Sequence, residues 1–335
     1  MLNGAVNEVV KGTSIVNLPA LILGGATLNT QYNDNPKSIP LIEMIRYAFQ
    51  NGIRAIDTSP YYGESEILYG KALEYLRAEY PREHYFICSK AGRIKLDEFD
   101  YSRSSIRKSV LRSCERLKTD YIDVMFLHDV EFIETKQVLE ALKELRKLKD
   151  EGVIHNFGIS GYPVDFLLTV ALKSCEMVDI GPLDVVLSYA NLNLQNMTLN
   201  NYYSRFKHDA GVKVVENGSI LSMSLLRTQE TKSFHPCSAK LRTLACKAAE
   251  YTASQGEDLA LLATRFAISK WVHKGPTVLG VSSVQELRAA LESYWDVMNI
   301  KDQDLSVSDA GLVAHIQQSI FGNCMNETWV SGIEH

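Results

Sequence analysis

Eight short runs rich in Val, Ile and Leu recur along this chain, and longer stretches with apolar residues at helical spacing separate them. The runs fall at residues 21–23, 53–57, 85–90, 122–128, 156–159, 184–188, 212–215 and 277–280. Each reads as a strand covered on both faces, because its apolar residues are continuous instead of alternating. The intervening segments read as helices. Residues 41–51 stop at Gly52 and residues 64–79 stop at Pro81. Residues 102–118 carry Ile106, Val110, Leu111 and Leu117, while residues 138–151 set Leu139, Leu142, Leu145 and Leu148 on one stripe. Parallel strands need crossover connections, so this alternation predicts an α/β chain with a parallel sheet. Eight units suit closure into a (β/α)8 TIM barrel. A doubly wound sheet would want a glycine-rich phosphate turn after its first strand. Leu23-Gly24-Gly25-Ala26-Thr27-Leu28 contains no G-x-G-x-x-G, which disfavours it.

No long linker divides the 335 residues. Residues 1–300 read as the barrel, with a loop at 224–238 before two extra helices at 239–254 and 259–270. Residues 301–335 read as a helical tail packed on the barrel, with one helix near 308–321. The charge balance of 35 basic against 40 acidic side chains provides no positive field for phosphates, which argues against nucleic acid as a partner. The six cysteines form no C-x-x-C pair and read as reduced, packed thiols, and no metal is expected. No apolar run approaches the ~18 residues of a membrane span. Glu8 and Lys11 interrupt the first twenty residues, so no signal-peptide core is expected there and the cytoplasm is the expected compartment.

Barrels carry their chemistry at the C-terminal ends of the strands. Three of the expected strands end in Asp57, Lys90 and His128, and Tyr62 follows Asp57 in Asp57-Thr58-Ser59-Pro60-Tyr61-Tyr62-Gly63. Singly, each residue has an ordinary structural use. Together they would converge on one mouth. A phenol with an ordinary pKa of ~10 is a poor acid or base near neutrality, but an adjacent ammonium favours the phenolate. Asp57 would hold Lys90 in place, Lys90 would lower the Tyr62 pKa, and neutral His128 would orient a substrate oxygen. The set amounts to a tuned proton donor or acceptor beside a carbonyl or alcohol carbon. No side chain transfers hydride, so a redox reaction requires a cofactor.

These residues, with Ser65-Glu66, Gly70-Lys71-Ala72-Leu73, Ser89-Lys90, Ser105-Ile106-Arg107-Lys108-Ser109, Tyr121-Ile122-Asp123-Val124, Gly152-Val153-Ile154 and Phe157-Gly158-Ile159-Ser160-Gly161-Tyr162, make the chain resemble the aldo-keto reductase superfamily. The resemblance runs from Leu21 to about Leu291. It implies a (β/α)8 barrel binding NAD(P) in an extended pose and a catalytic tetrad of Asp57, Tyr62, Lys90 and His128, with Tyr62 and His128 also touching substrate. It further implies cofactor contacts from Gly25, Ala26, Asp57, Ser160, Gly161, Ser219, Leu221, Ser222, Gly280, Ser282 and Glu286. Asp184-Val185-Val186-Leu187-Ser188-Tyr189, Leu221-Ser222-Met223-Ser224-Leu225-Leu226 and Phe234-His235-Pro236-Cys237-Ser238 are most similar to the fungal D-arabinose dehydrogenases, then to the plant L-galactose dehydrogenases. That similarity implies oxidation of C1 of a free aldose to an aldonolactone, a step feeding synthesis of the five-carbon ascorbate analogue. NAD(P)H-dependent reduction of carbonyl compounds is the alternative enzymatic reading. A cofactor-binding regulatory subunit without turnover is the alternative of a different kind.

The chain departs from the family pattern around the nicotinamide. Ser160-Gly161 stands where many members have Ser-Asn, the usual Gln of the next strand falls at Val186, and the stacking aromatic after the seventh strand falls at Gly218. NADP-preferring relatives place Lys and Arg where this chain has Gly280 and Glu286. A carboxylate repels a 2'-phosphate and accepts hydrogen bonds from ribose hydroxyls, so NAD is the expected cofactor over NADP.

Overall fold

The apolar runs become eight parallel strands in a computed structural model that describes residues 14–330. Each strand hydrogen-bonds to its sequence neighbour, and the last closes on the first. The strands are β1 (Leu21–Gly24), β2 (Ala55–Asp57), β3 (Phe86–Ala91), β4 (Ile122–His128), β5 (Ile154–Gly161), β6 (Val185–Tyr189), β7 (Val214–Gly218) and β8 (Thr277–Gly280). Around them run α1 (Leu41–Gln50), α2 (Ser65–Tyr75), α3 (Arg103–Leu117), α4 (Thr135–Asp150), α5 (Val164–Glu176), α6 (Thr198–His208), α7 (Ala239–Ser254), α8 (Leu259–Trp271) and α9 (Val284–Met298), with α10 (Val307–His315) beyond the barrel. Among the described residues no helix is long and apolar enough to cross a membrane. The expectation drawn from Glu8 and Lys11 lies outside the described residues.

Several boundaries differ from the sequence reading, each for a physical reason. Helix α4 begins at Thr135 instead of 138, because its first turn is polar and adds nothing to the apolar stripe. Helix α2 ends at Tyr75, and tight turns at Arg77 and Glu79 replace the last helical turn expected before Pro81. Strand β7 runs from Val214 to Gly218 instead of 212–215, so that Glu216 and Asn217 become wall residues. The sequence reading stopped at the last apolar residue, whereas the hydrogen-bond ladder continues.

Successive residues on a strand face opposite sides. One set, including Ile22, Phe86, Phe126, Val185 and Val278, fills the bore. The other set packs beneath the helices. A filled bore leaves only the last inward position of each strand open to the mouth, and those positions include Asp57, Lys90 and His128. At Gly158 the strands approach so closely that a Cβ would lie 1.8 Å from the Val185 carbonyl oxygen, so no larger residue fits.

The chain after β8 returns to the mouth by way of a second apolar cluster. Val313, Ile316, Phe321 and Cys324 pack there with Leu241 of α7 and Phe266 of α8. Arg265 donates two hydrogen bonds of 2.8 Å to Asp309 and one of 2.6 Å to Glu257. Beyond α10 the chain widens into a π-helical turn over Ile316–Phe321. Gln195 then donates to the Cys324 carbonyl at 2.8 Å, and Trp329 stacks on Tyr162 with ring centroids 4.3 Å apart. Because both charges of the Arg265–Asp309 pair are buried, Arg265→Leu leaves Asp309 unpaired. It is expected to lower stability by about 3–5 kcal/mol, measured by urea unfolding.

Candidate active site

The loop from β2 to α2 presents Tyr62 through two consecutive turns, with Tyr62 N donating to Ser59 O at 3.1 Å and Ser65 N to Tyr62 O at 3.2 Å. Gly63 closes the second turn with φ +62°, a left-handed conformation that favours glycine. Thr58 and Ser65 join their hydroxyls at 2.7 Å and fasten the loop to the helix. Beneath it, Lys90 reaches up the bore. Its Nζ donates to Asp57 Oδ1 at 2.5 Å and to the Thr58 carbonyl at 3.0 Å. It also lies 4.9 Å from the centre of the Tyr62 ring, close enough to favour the phenolate. The His128 ring stands edge-on to Tyr62, with centroids 5.6 Å apart. The four polar residues picked from the strand ends therefore meet at one place.

Their electrostatics differ from the simple expectation in one respect. Burial pushes the Tyr62 phenol up to about 12, and the Lys90 ammonium recovers only part of that shift. Lys90 does favour the phenolate, but loss of water outweighs it, so the net effect is the reverse of the lowering expected from the sequence. Burial also opposes the charge on Lys90, yet Asp57 and Tyr62 more than restore it, and the ammonium persists. Burial holds the His128 imidazole down to about 3, with Asp129 opposing and Lys90 and Arg93 reinforcing. His128 is therefore neutral. Ser59 Oγ accepts from Tyr61 N at 3.1 Å and lies 3.0 Å from His128 Nδ1. With Ser59 as the donor in that contact, the His128 proton sits on Nε2, free to donate.

Residues that the sequence reading did not single out complete the mouth. Arg93 forms an ion pair with Asp129, the neighbour of His128, and lies flat over Tyr61 at 4.0 Å. Tyr32 meets Phe234 edge-to-face at 5.2 Å on another side. Asn193 and Gln195 are fully buried and tie down the loop after β6 and the C-terminal tail. His235 is fixed by Ser222 O and Cys237 N.

The sequence profile of the aldo/keto reductase family matches residues 20–310. The chain belongs to the aldo/keto reductase family. It is 58 % identical over 331 residues to D-arabinose 1-dehydrogenase of Saccharomyces cerevisiae, covering 98 % of both chains. It is 32 % identical to L-galactose dehydrogenase of Arabidopsis thaliana, covering 87 % of both. Among solved structures, an aldo-keto reductase from Bacillus halodurans in its holo form superposes with a TM-score of 0.66 at 20 % identity, over 91 % of this chain and 94 % of the other. That likeness supports the barrel fold. Aldo/keto reductases use nicotinamide dinucleotides.

In this aldo/keto reductase, the residues expected to hold such a dinucleotide lie on one rim. Gly25 and Ala26 follow β1, Ser160 and Gly161 end β5, Ser219, Leu221 and Ser222 follow β7, Gly280 ends β8, and Ser282 and Glu286 follow it. The loop after β7 suits a diphosphate. Ser219, Ser222, Met223 and Ser224 all take positive φ, which turns the backbone into a tight concave path, and Ser222 Oγ is buried with no hydrogen-bond partner among the described residues. Gly25 also has a packing role, since a Cβ there would lie 2.8 Å from Ser65 Oγ and from the Tyr69 ring.

The structure accounts for the family's missing nicotinamide contacts. A side chain on Gly161 would meet Glu131 Oε2 at 2.3 Å, so a carboxylate from the turn after β4 occupies that space. Val186 packs outward with the helices, and Leu187 is the inward residue of that register, which corrects the placement of the Gln-equivalent position. A Cβ on Gly218 would meet Leu187 Cδ1 at 3.2 Å and Tyr189 Cβ at 3.6 Å, so β6 already fills that wall.

His128 folded-state depression sets a stability trend. Its pKa falls from about 6.5 to about 3 on folding, so it contributes stability above pH ~6.5 that is lost as pH drops towards 3. Urea unfolding across that window is expected to show a smaller acid loss for His128→Asn than for the native chain.

Proposed function

We propose that this chain oxidises the C1 hydroxyl of an aldose, D-arabinose or a related pentose or 6-deoxyhexose, to an aldonolactone with NAD. The observation that carries the reading is the contact of the Lys90 ammonium with both Asp57 and Tyr62, beside a neutral His128. The substrate class rests on likeness to D-arabinose and L-galactose dehydrogenases over most of the chain. All six cysteines are unpaired, which suits a reducing compartment such as the cytoplasm.

Lys90 stabilises Tyr62 as phenolate, which takes the proton from the C1 hydroxyl and becomes the neutral phenol. His128 donates from Nε2 to the sugar oxygen and fixes its direction. The Tyr32, Phe234 and Tyr61 rings offer apolar faces to sugar C–H groups, and the Arg93–Asp129 pair offers hydrogen bonds to its hydroxyls. When bound, an oxidised nicotinamide supplies the hydride acceptor and a cationic ring. Because burial raises the Tyr62 pKa, the phenol carries its proton near neutrality, which is the form the reverse, carbonyl-reducing direction requires. pH then sets the balance between the two. Oxidation requires the ionised phenol, so kcat/KM for aldose oxidation should climb about tenfold per pH unit below the Tyr62 pKa.

The NAD preference rests on the turn after β8. Glu286 accepts from Ser282 N at 2.6 Å, while Ser283 accepts from Glu286 N at 3.1 Å, a reciprocal cap on α9. The cap fixes a carboxylate at the position where NADP-preferring relatives carry an Arg, which supports a preference for a free ribose hydroxyl over a 2'-phosphate. Gly280 is exposed, with only the Thr27 methyl near its absent Cβ at 3.8 Å.

Two measurements test this reading. Tyr62→Phe should keep dinucleotide affinity, followed by fluorescence quenching, and lose kcat by about 100- to 10,000-fold. Near-native turnover would end the assignment. Initial rates with both dinucleotides should favour NAD, and Gly280→Lys with Glu286→Arg should move the ratio towards NADP. An unchanged ratio would place the discrimination elsewhere.

A further inference from the structure

Among the described residues, the barrel interior holds a carboxyl group that the reaction above does not use. Glu216 occupies an inward position of β7, level with Leu187 of β6, and is fully excluded from solvent. Neither carboxyl oxygen has a hydrogen-bond partner among the described residues. Below the mouth this bore is lined mainly by Ile22, Phe86, Phe126 and Val185, so a carboxylate there would be a bare charge in apolar surroundings.

Charged and titratable groups face it from the far wall. Asp57 comes from β2, and Cys88 and Lys90 come from β3; all three interact electrostatically with Glu216. The flanking strands present Leu187 and Tyr189 from β6 and Val278 from β8. Of these only Tyr189 titrates, and burial pushes it well above the ordinary phenol range. Burial likewise pushes the Cys88 thiol well up, so it stays neutral. Asp57 Oδ2, which Lys90 does not reach, is also without a partner. The bore therefore contains a fixed ion pair and one further acid whose charge is free to change.

We propose that Glu216 is a positioning residue for the proton on Tyr62: as a carboxylic acid it leaves the Asp57–Lys90 pair as the bore's charge, and once ionised it holds the phenol protonated. The inference deepens the reading of Tyr62 as proton acceptor and rests on it. Burial, reinforced by Asp57 and opposed by Lys90, pushes the Glu216 carboxyl up to about 8. It is thus neutral at physiological pH and becomes charged in mild alkali. A new anion near Lys90 competes with the phenolate for the same cation, so fewer Tyr62 side chains ionise. The residue acts as an internal brake on oxidation where solution pH would otherwise accelerate it.

Glu216→Gln keeps the shape and removes the titration. Around pH 6, where both side chains are neutral, aldose oxidation by variant and native enzyme should be similar. Above about pH 8 the variant should be faster, with the ratio of kcat/KM values rising to the order of tenfold. A ratio that does not change with pH, including a uniform loss, overturns the proposal. The second readout needs no substrate. Glu216 carries its proton in the folded chain and loses it in the unfolded chain above about pH 4.3, so the native protein loses stability as pH rises from there to about 8 and then levels. The Tm advantage of the variant should grow across that window and then stop. Parallel Tm curves overturn the proposal as well. Should the variant fail to fold, infrared spectra of native protein labelled at glutamate should show a protonated carboxyl near pH 7 that vanishes in mild alkali, and its absence near neutrality refutes the idea. If the native enzyme oxidises no aldose, or Tyr62→Phe remains active, the reading of Tyr62 fails while the Tm result still reports on Glu216.

Discussion

The ion pair between Asp57 and Lys90 is the constraint around which the mouth of this barrel is organised. Taking both charges out of water costs several kcal/mol each unless geometry and further hydrogen bonds compensate. Here the partners are adjacent strands in fixed parallel register, with Asp57 opposite Cys88 and Lys90 one inward position further on. The Thr58 carbonyl takes a second ammonium proton, and the ammonium stands 4.9 Å from the centre of the Tyr62 ring. The lysine has little room to move, because its stem is threaded through a bore packed with Phe86 and Phe126. A charge held so firmly can act on Tyr62 from a constant distance without reorganising during the reaction.

Much of this was legible in the linear sequence because it is written in periodicity. Short unbroken runs of Val and Ile gave the strands, and stripes of Leu gave the helices. Capping residues such as Ser102, which accepts from Ser105 N, mark the helix starts. Asp57, Lys90 and His128 stood out because a charged or imidazole side chain closing an apolar strand has few other uses. The missed features are those that periodicity does not encode. Glu216 went unseen because β7 appeared to stop at Val215, and a strand continued by Glu, Asn and Gly has no apolar signature. Val186 and Leu187 are both aliphatic, and a slip of one residue exchanges the two faces of a strand. The Tyr62 pKa required weighing burial against one ammonium, and burial cannot be read from a motif.

The departures from the family pattern at the nicotinamide wall have a common form. Where a side chain is missing on one strand, an adjacent element has moved into the space. Glu131 fills the position that a side chain on Gly161 would take, and Leu187 with Tyr189 crowd the face of Gly218. Neither glycine is a gap. A larger residue placed back at 161 would have to displace a buried carboxylate that accepts from Tyr162 N at 3.0 Å, so substitutions at 131 and 161 are coupled through one small volume.

The same loss of water shifts four groups of this centre in the direction that removes charge, Asp57 among them. It raises Tyr62 to about 12, raises Glu216 to about 8 and lowers His128 to about 3. Near neutrality the phenol, the inner acid and the imidazole are all uncharged, and the mouth keeps the ion pairs of Asp57 with Lys90 and of Arg93 with Asp129. Burial therefore does two opposing things for an alcohol oxidation. It strengthens the pull of Lys90 on any phenolate that forms, since that attraction grows as the surrounding dielectric falls. It also makes the phenolate rarer before substrate arrives. A centre built this way depends on positive charge brought close to the phenol, and each negative charge that appears inside the bore works against it.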